Sequence, residues 1–386
     1  MSSFFRRNCR SRFRPTTVIS LLLLSLLLLL LVDRGWLWQT IPITDAPTML
    51  APVTVRQSHL LVNGQPFEVR GTNYLRPSTD DPILCYRLQF GADGQCPWDL
   101  PAIQADLDQL QALGVNTIRV FLNFYAFGGG SLVNPTYTIE QPLALLDSLI
   151  AEANQRGIYV LPVLLTKYPQ DRFGPEDYEL ALELHVRPVV RHLAGRPGIL
   201  GWDLFNEPDI GSPIDIRCWD WHNGDFPLCF PLANERKHFL RAVHAEVKRL
   251  DPDRLTTIGL AFAKNYFSPE GTDLRLADLV DFYTFHYYDN EPYDSGRYAA
   301  HWYYGQGFPA DLRHAIGELT ALTPTRPVVI TELGFPTDAD STRTSVDLQR
   351  DLRLAWHTIR AEQAQGMLLW PFQDDPEELM EGLFRL

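Results

Sequence analysis

Two glutamates stand at the ends of short apolar runs, and each run is soon followed by a residue that breaks extended structure. Glu207 ends the run that begins at Gly201 and precedes Pro208, and Glu332 ends the run that begins at Val328. Such runs are typical of buried strands, and a carboxylate at the end of a buried strand is unfavourable unless it is paired or used. Two carboxylates at equivalent places in a repeating pattern indicate a pair that acts together in acid–base or nucleophilic chemistry.

The elements that must position these glutamates form a repeat of strand and helix patterns. Strand patterns lie at about Phe67–Asn73, Thr117–Leu122, Ile158–Leu165, Ile199–Asn206, Leu255–Leu260, Val280–His286, Val328–Glu332 and Met367–Pro371. Helical patterns lie between them at about Pro101–Leu113, Glu140–Arg156, Pro175–Leu193, Leu232–Leu250, Leu274–Leu279, Pro309–Leu322 and Thr342–Gln365. The fifth helical pattern is weak and depends mainly on its place between two strands. Upstream, Val53–Val55 and His59–Val62 followed by Asn63-Gly64 predict a β-hairpin.

Eight strands that alternate with helices predict parallel pairing through right-handed crossovers. Eight is also the number that closes a barrel, so the fold class is predicted as α/β, a (β/α)8 TIM barrel with an N-terminal β-hairpin. An open doubly wound sheet is the alternative, but no glycine-rich phosphate loop follows an early strand.

In a barrel, functional side chains gather where strands end and the following loops begin. The predicted strand ends carry polar and aromatic residues at Asn73, Arg119, Asn206, Glu207, His286, Tyr288, Glu332 and Trp370. Each residue alone is a weak signal, and their shared position on six strands is a strong one.

Two motifs resemble the paired signatures of the clan A glycoside hydrolases. They are Leu204-Phe205-Asn206-Glu207-Pro208 and Ile330-Thr331-Glu332-Leu333-Gly334. The nearer match is glycoside hydrolase family 5, the cellulase and mannanase family, and the similarity extends from Val62 to Phe384. One departure is the sequence Thr166-Lys167-Tyr168, where many cellulases of the family carry a histidine. A specific prediction of cellulase is weakened by it.

The resemblance implies a retaining double displacement on β-linked glucan or mannan-type chains, with Glu207 as acid/base and Glu332 as nucleophile. It also implies that Asn206 binds the sugar 2-hydroxyl, that Arg119 lies near the nucleophile, and that Tyr288 donates to it. Two other functions remain open: a carbohydrate-binding protein on a barrel that has lost catalysis, and a transglycosylase that uses the same residues.

Three further residues have two interpretations each. His286 matches a substrate-pocket histidine or is a hydrogen-bonded rim residue, and Trp370 floors the sugar subsite or packs in the core. Asn73 contacts substrate or caps its strand. Trp219, Trp221 and Trp302 stack on distal sugars or pack their own loops. Trp356 lies within a helical pattern and is predicted to be a core residue.

The N-terminal segment differs in composition from the barrel. Residues 1–15 form a basic tail, predicted to be cytosolic, and residues 16–38 contain an uncharged leucine-rich run from Thr16 to Val32. This pattern indicates a signal-anchor helix or a cleavable signal peptide, and the poor cleavage site after Val32 favours the anchor. Residues 39–52 are predicted to be a linker with three prolines, and residues 53–386 the catalytic domain. Both interpretations place this domain outside the cytosol, anchored to a membrane or secreted.

Four cysteines fall into two equally spaced pairs, Cys85 with Cys96 and Cys218 with Cys229. Each pair brackets a long loop after a predicted strand, and in an exported domain such pairs are typical of disulfides. A zinc site is the alternative, but no CxxC or HExxH spacing supports it. We therefore expect neither a metal nor a cofactor.

The charge balance restricts the partners of the chain. The formal net charge is -13, and without its first 45 residues the chain keeps 28 of the 34 basic and 45 of the 47 acidic side chains. An acidic domain repels phosphate backbones, which excludes nucleic acid as an expected partner. The expected partner is a carbohydrate substrate, which nine tryptophans suit, and the protein is expected to be a monomer.

Overall fold

The structure, a computed structural model, describes residues 49–75, 98–210, 226–267, 274–289, 306–335, 341–370 and 380–385. The predicted basic tail, the apolar segment and most of the linker lie outside these residues. The same holds for Trp219, Trp221 and Trp302 and for the side chains of the four paired cysteines. Within the described residues, no helix combines the length and the apolar character needed to cross a membrane.

Eleven strands are described. Three short antiparallel ones form the N-terminal hairpin and its extension: β1 (Val53–Arg56), β2 (His59–Val62) and β3 (Gln65–Pro66). Eight form the main sheet: β4 (Val69–Asn73), β5 (Thr117–Asn123), β6 (Tyr159–Thr166), β7 (Trp202–Asn206), β8 (Thr256–Gly259), β9 (Tyr283–Tyr288), β10 (Val328–Gly334) and β11 (Gly366–Leu369).

The main sheet closes into a barrel. Its strand order is β8-β7-β6-β5-β4-β11-β10-β9, and every described pairing in it is parallel. The last gap is bridged where Leu260, directly after β8, pairs with Phe285 of β9, and the His286 amide donates to the Leu260 carbonyl at 2.8 Å. The predicted eight-stranded barrel with its N-terminal hairpin is confirmed.

Helices cover the outside of the barrel. They are α1 (Leu100–Ala112), α2 (Gly130–Val133), α3 (Glu140–Gln155), α4 (Tyr178–Ala181), α5 (Arg187–Leu193), α6 (Phe226–Leu250), α7 (Ala310–Leu322) and α8 (Ser345–Ala361). A π-helical turn at Leu182–Val186 joins α4 to α5. Single 3-10 turns lie at Ala263–Tyr266, Leu276–Leu279 and Leu383–Arg385.

Four of the predicted helices differ from the sequence patterns by more than one residue at an end. The third starts at Tyr178 and contains the π-helical turn, and the fourth starts at Phe226 instead of Leu232. The fifth is only the 3-10 turn Leu276–Leu279, because so short an apolar pattern supplies too few backbone bonds for an α-helix. The seventh starts at Ser345 rather than Thr342. Thr344 and Asp347 form a capping box in which each side chain accepts a bond from the other residue's backbone amide.

The hairpin seals the amino-terminal end of the barrel. Its buried side chains Val53 and Leu60 join a cluster of apolar residues that lie in the barrel strands or directly before them, namely Val69, Tyr159, Leu161, Leu200, Leu255, Phe282, Val329 and Leu368. Each such side chain contributes roughly 1.5–3 kcal/mol when it is removed from water. A larger cluster fills the space between strands and helices and includes the predicted core residue Trp356. The carboxyl-terminal end is the end left for chemistry.

Candidate active site

Arg119 is the centre of a hydrogen-bonded network inside the barrel. It lies on the fully buried strand β5, and its side chain is 0% exposed. Its guanidinium donates to Asp203 at 2.9 Å, to Asn73 at 2.9 Å, to Glu332 at 2.6 Å and to Asn206 at 2.8 Å. Burial alone would lower the pKa of Arg119, but Asp203 and Glu332 raise it, so the guanidinium stays charged.

Glu332 reaches this network through an irregularity in its strand. The pairing of β10 with β9 shifts register between Ile330 and Glu332, and such bulges re-aim side chains next to active sites. The carbonyl of the intervening Thr331 accepts a hydrogen bond from the side-chain amide of Asn73 at 2.8 Å. One Glu332 oxygen accepts from Arg119, and the other accepts from the Tyr288 hydroxyl at 2.5 Å. Both oxygens therefore face donors that favour the ionised carboxylate.

Glu207 is held in a different way. It follows β7 with a left-handed backbone, φ +51°, and its amide donates to the Gly259 carbonyl at 2.7 Å. Its side chain is 25% exposed, against 4% for Glu332, and one oxygen lies 2.8 Å from Nδ1 of His286. Burial in the barrel mouth raises the pKa of Glu207 to about 7, which Arg119 and Lys167 oppose in part.

The two carboxyls divide one charge between them. Burial also raises the pKa of Glu332, and the neighbouring Glu207 adds to that rise. Glu332, however, has the direct bonds from Arg119 and Tyr288, whereas the contacts of the Glu207 carboxyl within the described residues are with the neutral side chains of His286 and Asn206. At neutral pH the arrangement therefore favours an ionised Glu332 beside a protonated Glu207.

His286 lies between the glutamates and is 1% exposed. Its Nδ1 is 2.8 Å from a Glu207 oxygen and 3.4 Å from a Glu332 oxygen. Burial lowers the pKa of His286 to about 4, so the ring is neutral under physiological conditions. A neutral ring bridges the two acids without adding a positive charge, which would ionise Glu207.

One oxygen of each glutamate and a ring nitrogen of His286 lie within 4.8 Å of one another. The cluster has the donor types of a metal site, but Arg119 already places a fixed positive charge 2.6 Å from the Glu332 oxygen. A bound cation would be repelled by that guanidinium. The residues present therefore fit paired acid chemistry better than metal ligation.

Seven of the eight site residues predicted from the sequence lie in this network. Trp370 lies beside it at the end of β11, half-buried, with its ring edge to face against Phe121 at 5.8 Å. Asn73 is fully buried and bonded to Arg119 and to the carbonyls of Thr331 and Leu369. These bonds tie Asn73 to Arg119 and to the strands β10 and β11, a supporting position that neither the substrate-contact nor the strand-cap interpretation described.

Asp203 and Gly259 are site residues that sequence reasoning missed. Asp203 is buried, with one oxygen on Arg119 and the other accepting from the Gly259 amide at 2.7 Å. A Cβ at Gly259 would lie 2.5 Å from Arg119 Nη2 and 2.8 Å from Asp203 Oδ2, so only glycine fits. Asp203 had a signal, because a carboxylate within an apolar strand needs a buried cation such as Arg119.

Lys167 marks the place where the sequence departs from the cellulase pattern. It directly follows β6, is exposed, and has a left-handed backbone with φ +54°. Its charge favours the ionised form of Glu207. The exposed cation therefore lies at the barrel mouth on the Glu207 side.

The fold and the site together show an eight-stranded barrel that carries two neighbouring carboxyl groups at its strand ends. The model of the family Cellulase (glycosyl hydrolase family 5) matches residues 63–375. The chain belongs to this family and is a glycoside hydrolase, as its resemblance to clan A implied.

Solved structures share the fold. A β-1,4-mannanase from the sea hare Aplysia kurodai is 19% identical with a TM-score of 0.59, over 86% of this chain and 96% of that one. A β-1,4-D-mannanase from Cryptopygus antarcticus is 17% identical with a TM-score of 0.58, over 86% and 93%. An exo-β-1,4-mannosidase from an Opitutaceae bacterium is 20% identical with a TM-score of 0.58, over 81% and 53%. No curated protein sequence matches the chain.

Proposed function

We propose that this protein is a retaining glycoside hydrolase that cleaves β-linked mannan or glucan chains. The observation that carries the proposal is the placement of Glu207 and Glu332, with one oxygen of each within 4.8 Å. Retaining enzymes separate their carboxyl groups by roughly 5–5.5 Å, and inverting enzymes by roughly 6.5–9.5 Å to admit a water. Carboxyl oxygens this close fit the shorter range, which supports a nucleophile and an acid that act on the same glycosidic bond.

The cleavage then runs in two steps. Glu332 attacks the anomeric carbon while Glu207 gives its proton to the leaving oxygen, and a covalent glycosyl–enzyme forms. Glu207, now ionised, takes a proton from water, which attacks the anomeric carbon and releases Glu332. Arg119 and Tyr288 stabilise the Glu332 carboxylate before attack and after release. The Asn206 oxygen is held by Arg119, and its side-chain nitrogen, 3.5 Å from a Glu207 oxygen, has a second N–H that would donate toward the sugar.

The stereochemistry of the first product tests the mechanism. Proton NMR of the reducing sugar, recorded before mutarotation, is expected to show the β-anomer first. An α-anomer would overturn retention. Glu332→Ala is expected to lower hydrolysis by roughly 10⁵-fold or more, the scale for deletion of a catalytic nucleophile. Glu207→Ala is expected to recover activity with azide on an activated aryl glycoside, and wild-type rates without azide would contradict its role.

The substrate is tested on a panel of polysaccharides. The structural relatives described as mannanases support mannan, and the family description supports cellulose-type glucan. We expect release of oligosaccharides from at least one of β-1,4-mannan and β-1,4-glucan by the fragment from residue 49 onward. Binding of every member of the panel without turnover would instead indicate a carbohydrate-binding barrel. A dominant transfer product at high acceptor concentration would indicate transglycosylation.

We propose further that residues 16–38 anchor the chain in a membrane and place the barrel outside the cytosol. The leucine-rich run after a basic tail supports this. The full chain is expected to stay with membranes after alkaline carbonate extraction, and the fragment from residue 49 is expected to be released. A secreted chain that lacks its N-terminus would show a cleaved signal peptide instead.

The two cysteine pairs are proposed disulfides in the same exported domain. Mass spectrometry of the unreduced protein after proteolysis is expected to find Cys85 joined to Cys96 and Cys218 joined to Cys229. Free thiols at all four positions would contradict the pairing.

A further inference from the structure

The backbone of Glu207 is held in a conformation that it does not adopt unaided. A left-handed φ at a residue other than glycine costs on the order of 1–3 kcal/mol and persists only where the surroundings over-determine it. Pro208 follows directly, and a residue before proline is biased toward extended backbone. The Glu207 amide is fixed to Gly259 on one side. The segment on the other side, residues 208–210, must supply the remaining restraint.

Arg236 provides one part of that restraint. It lies on α6, is 3% exposed, and donates from Nη1 to the Pro208 carbonyl at 2.7 Å and to the Ile210 carbonyl at 3.1 Å. Its Nη2 donates to Gln170 at 3.1 Å, and its guanidinium lies 4.8 Å from the ring centre of Phe173. Burial lowers the pKa of Arg236 to about 10, so it remains charged at neutral pH. One nitrogen of a charged guanidinium therefore binds the carbonyls of both Pro208 and Ile210, which follow Glu207.

Asp209 provides the other part. It is fully buried, and its carboxylate accepts bonds from the amides of Ala261 at 2.9 Å and Phe262 at 3.0 Å, and from the Asn265 side chain at 2.7 Å. Ala261 and Phe262 follow β8, the strand whose last residue, Gly259, binds the Glu207 amide. The segment is therefore tied to the next barrel strand by a carboxylate and to an outer helix by a guanidinium.

We propose that Asp209 and Arg236 are positioning residues for the acid/base: they fix the backbone beyond Glu207 and so aim its carboxyl at the leaving-group oxygen. Neither side chain touches the reacting atoms. We call the two side chains the 209/236 clamp. The inference rests on the proposed function, because it assigns a support to the acid step of that reaction. A misplacement of about 1 Å at a catalytic group lowers a rate by roughly 10²-fold.

The test uses the dependence of kcat/KM on the leaving group. A 2,4-dinitrophenyl glycoside departs without protonation, whereas an unsubstituted phenyl glycoside needs the acid. For Arg236→Gln and Asp209→Asn, kcat/KM is expected to fall roughly 10- to 100-fold on the phenyl substrate. It is expected to change less than about threefold on the dinitrophenyl substrate, because the attack by Glu332 is untouched. Both substrates carry the sugar that the wild-type enzyme cleaves.

Arg254 provides a matched control. It too is largely buried and donates to two backbone carbonyls, of Ile199 at 2.7 Å and Arg196 at 2.8 Å, but it lies beside the amino-terminal ends of β7 and β8. Arg254→Gln is expected to change both substrates in the same proportion. Arg236→Lys keeps the charge with a single donor point and is expected to recover part of the loss on the phenyl substrate. If Arg236→Gln fails to fold, Arg236→Lys tests the role of Arg236 in its place.

Two failures are distinct. Equal losses on both substrates in the clamp variants, with a steep leaving-group dependence in Glu207→Ala, would overturn the positioning role and leave the acid assignment intact. A lack of leaving-group dependence in Glu207→Ala would overturn the acid assignment, and the clamp's role with it.

Discussion

The two sides of the cleft hold the same kind of side chain by opposite means. On the β10 side, Glu332 lies in a strand, and side chains from other strands bring charged and hydroxyl donors to both of its oxygens. On the β7 side, Glu207 lies on a left-handed backbone, and its loop is fixed by backbone and clamp contacts. Hydrogen-bond donors and cations stabilise an ionised carboxylate. A carboxyl group stays protonated more easily where no cation contacts it directly. The orientation of Glu207 then comes from the backbone that carries it, together with the neutral His286 ring 2.8 Å from one of its oxygens.

The largest effect is expected from removal of the guanidinium that binds Glu332. Arg119→Met leaves Asp203 and Glu332 as buried carboxylates without their cation, and breaking a buried ion pair costs about 3–5 kcal/mol. Urea unfolding monitored by fluorescence is expected to show this loss, together with near-complete loss of kcat/KM. Adding Asp203→Asn is expected to restore part of the stability and none of the activity. Equal stability of the single and double variants would contradict a charge-based role.

An intermediate effect comes from a single donor. Tyr288→Phe removes the hydroxyl that lies 2.5 Å from Glu332, and a hydrogen bond to a charged group is worth about 1.5–3 kcal/mol. The rate of the attack step is expected to fall roughly 10- to 150-fold. The hydroxyl favours the ionised carboxylate, so its loss raises the pKa of Glu332 and moves the acidic limb of kcat/KM to higher pH. An unmoved acidic limb would show that Tyr288 does not act on that charge.

The smallest effect is expected on the pKa of Glu207. Since burial raises the pKa of Glu207 to about 7, kcat/KM is expected to fall as the pH rises through about 7 and the acid loses its proton. Lys167 favours the ionised form, so Lys167→Met raises that pKa and moves the alkaline limb upward, by roughly half a unit for an exposed charge. The acidic limb is expected to stay in place. A downward move of the alkaline limb would contradict the sign of this interaction.

How much of the structure can be predicted from the sequence depends on how far apart in the chain the interacting residues lie. The barrel strands were predictable because buried apolar runs leave a local pattern. The capping box of α8 is local as well, but it was missed, and the helix was predicted to start at Thr342. The proximity of Glu207 and Glu332 was predictable because both glutamates end such runs. The 209/236 clamp was not, because Asp209 and Arg236 act on residues that are near in space but belong to separate elements. A residue before proline favours extended backbone, and at Glu207 long-range bonds override that local preference.

Gly259 has a consequence for protein engineering. It has no reactive group, and a list of catalytic side chains would leave it open to randomisation. The space beside its Cα is occupied by the Arg119–Asp203 ion pair, so a saturation library at this codon would return glycine almost alone. Redesign of the cleft for another sugar should therefore keep the end of β8 constant and place its diversity in the loops beyond.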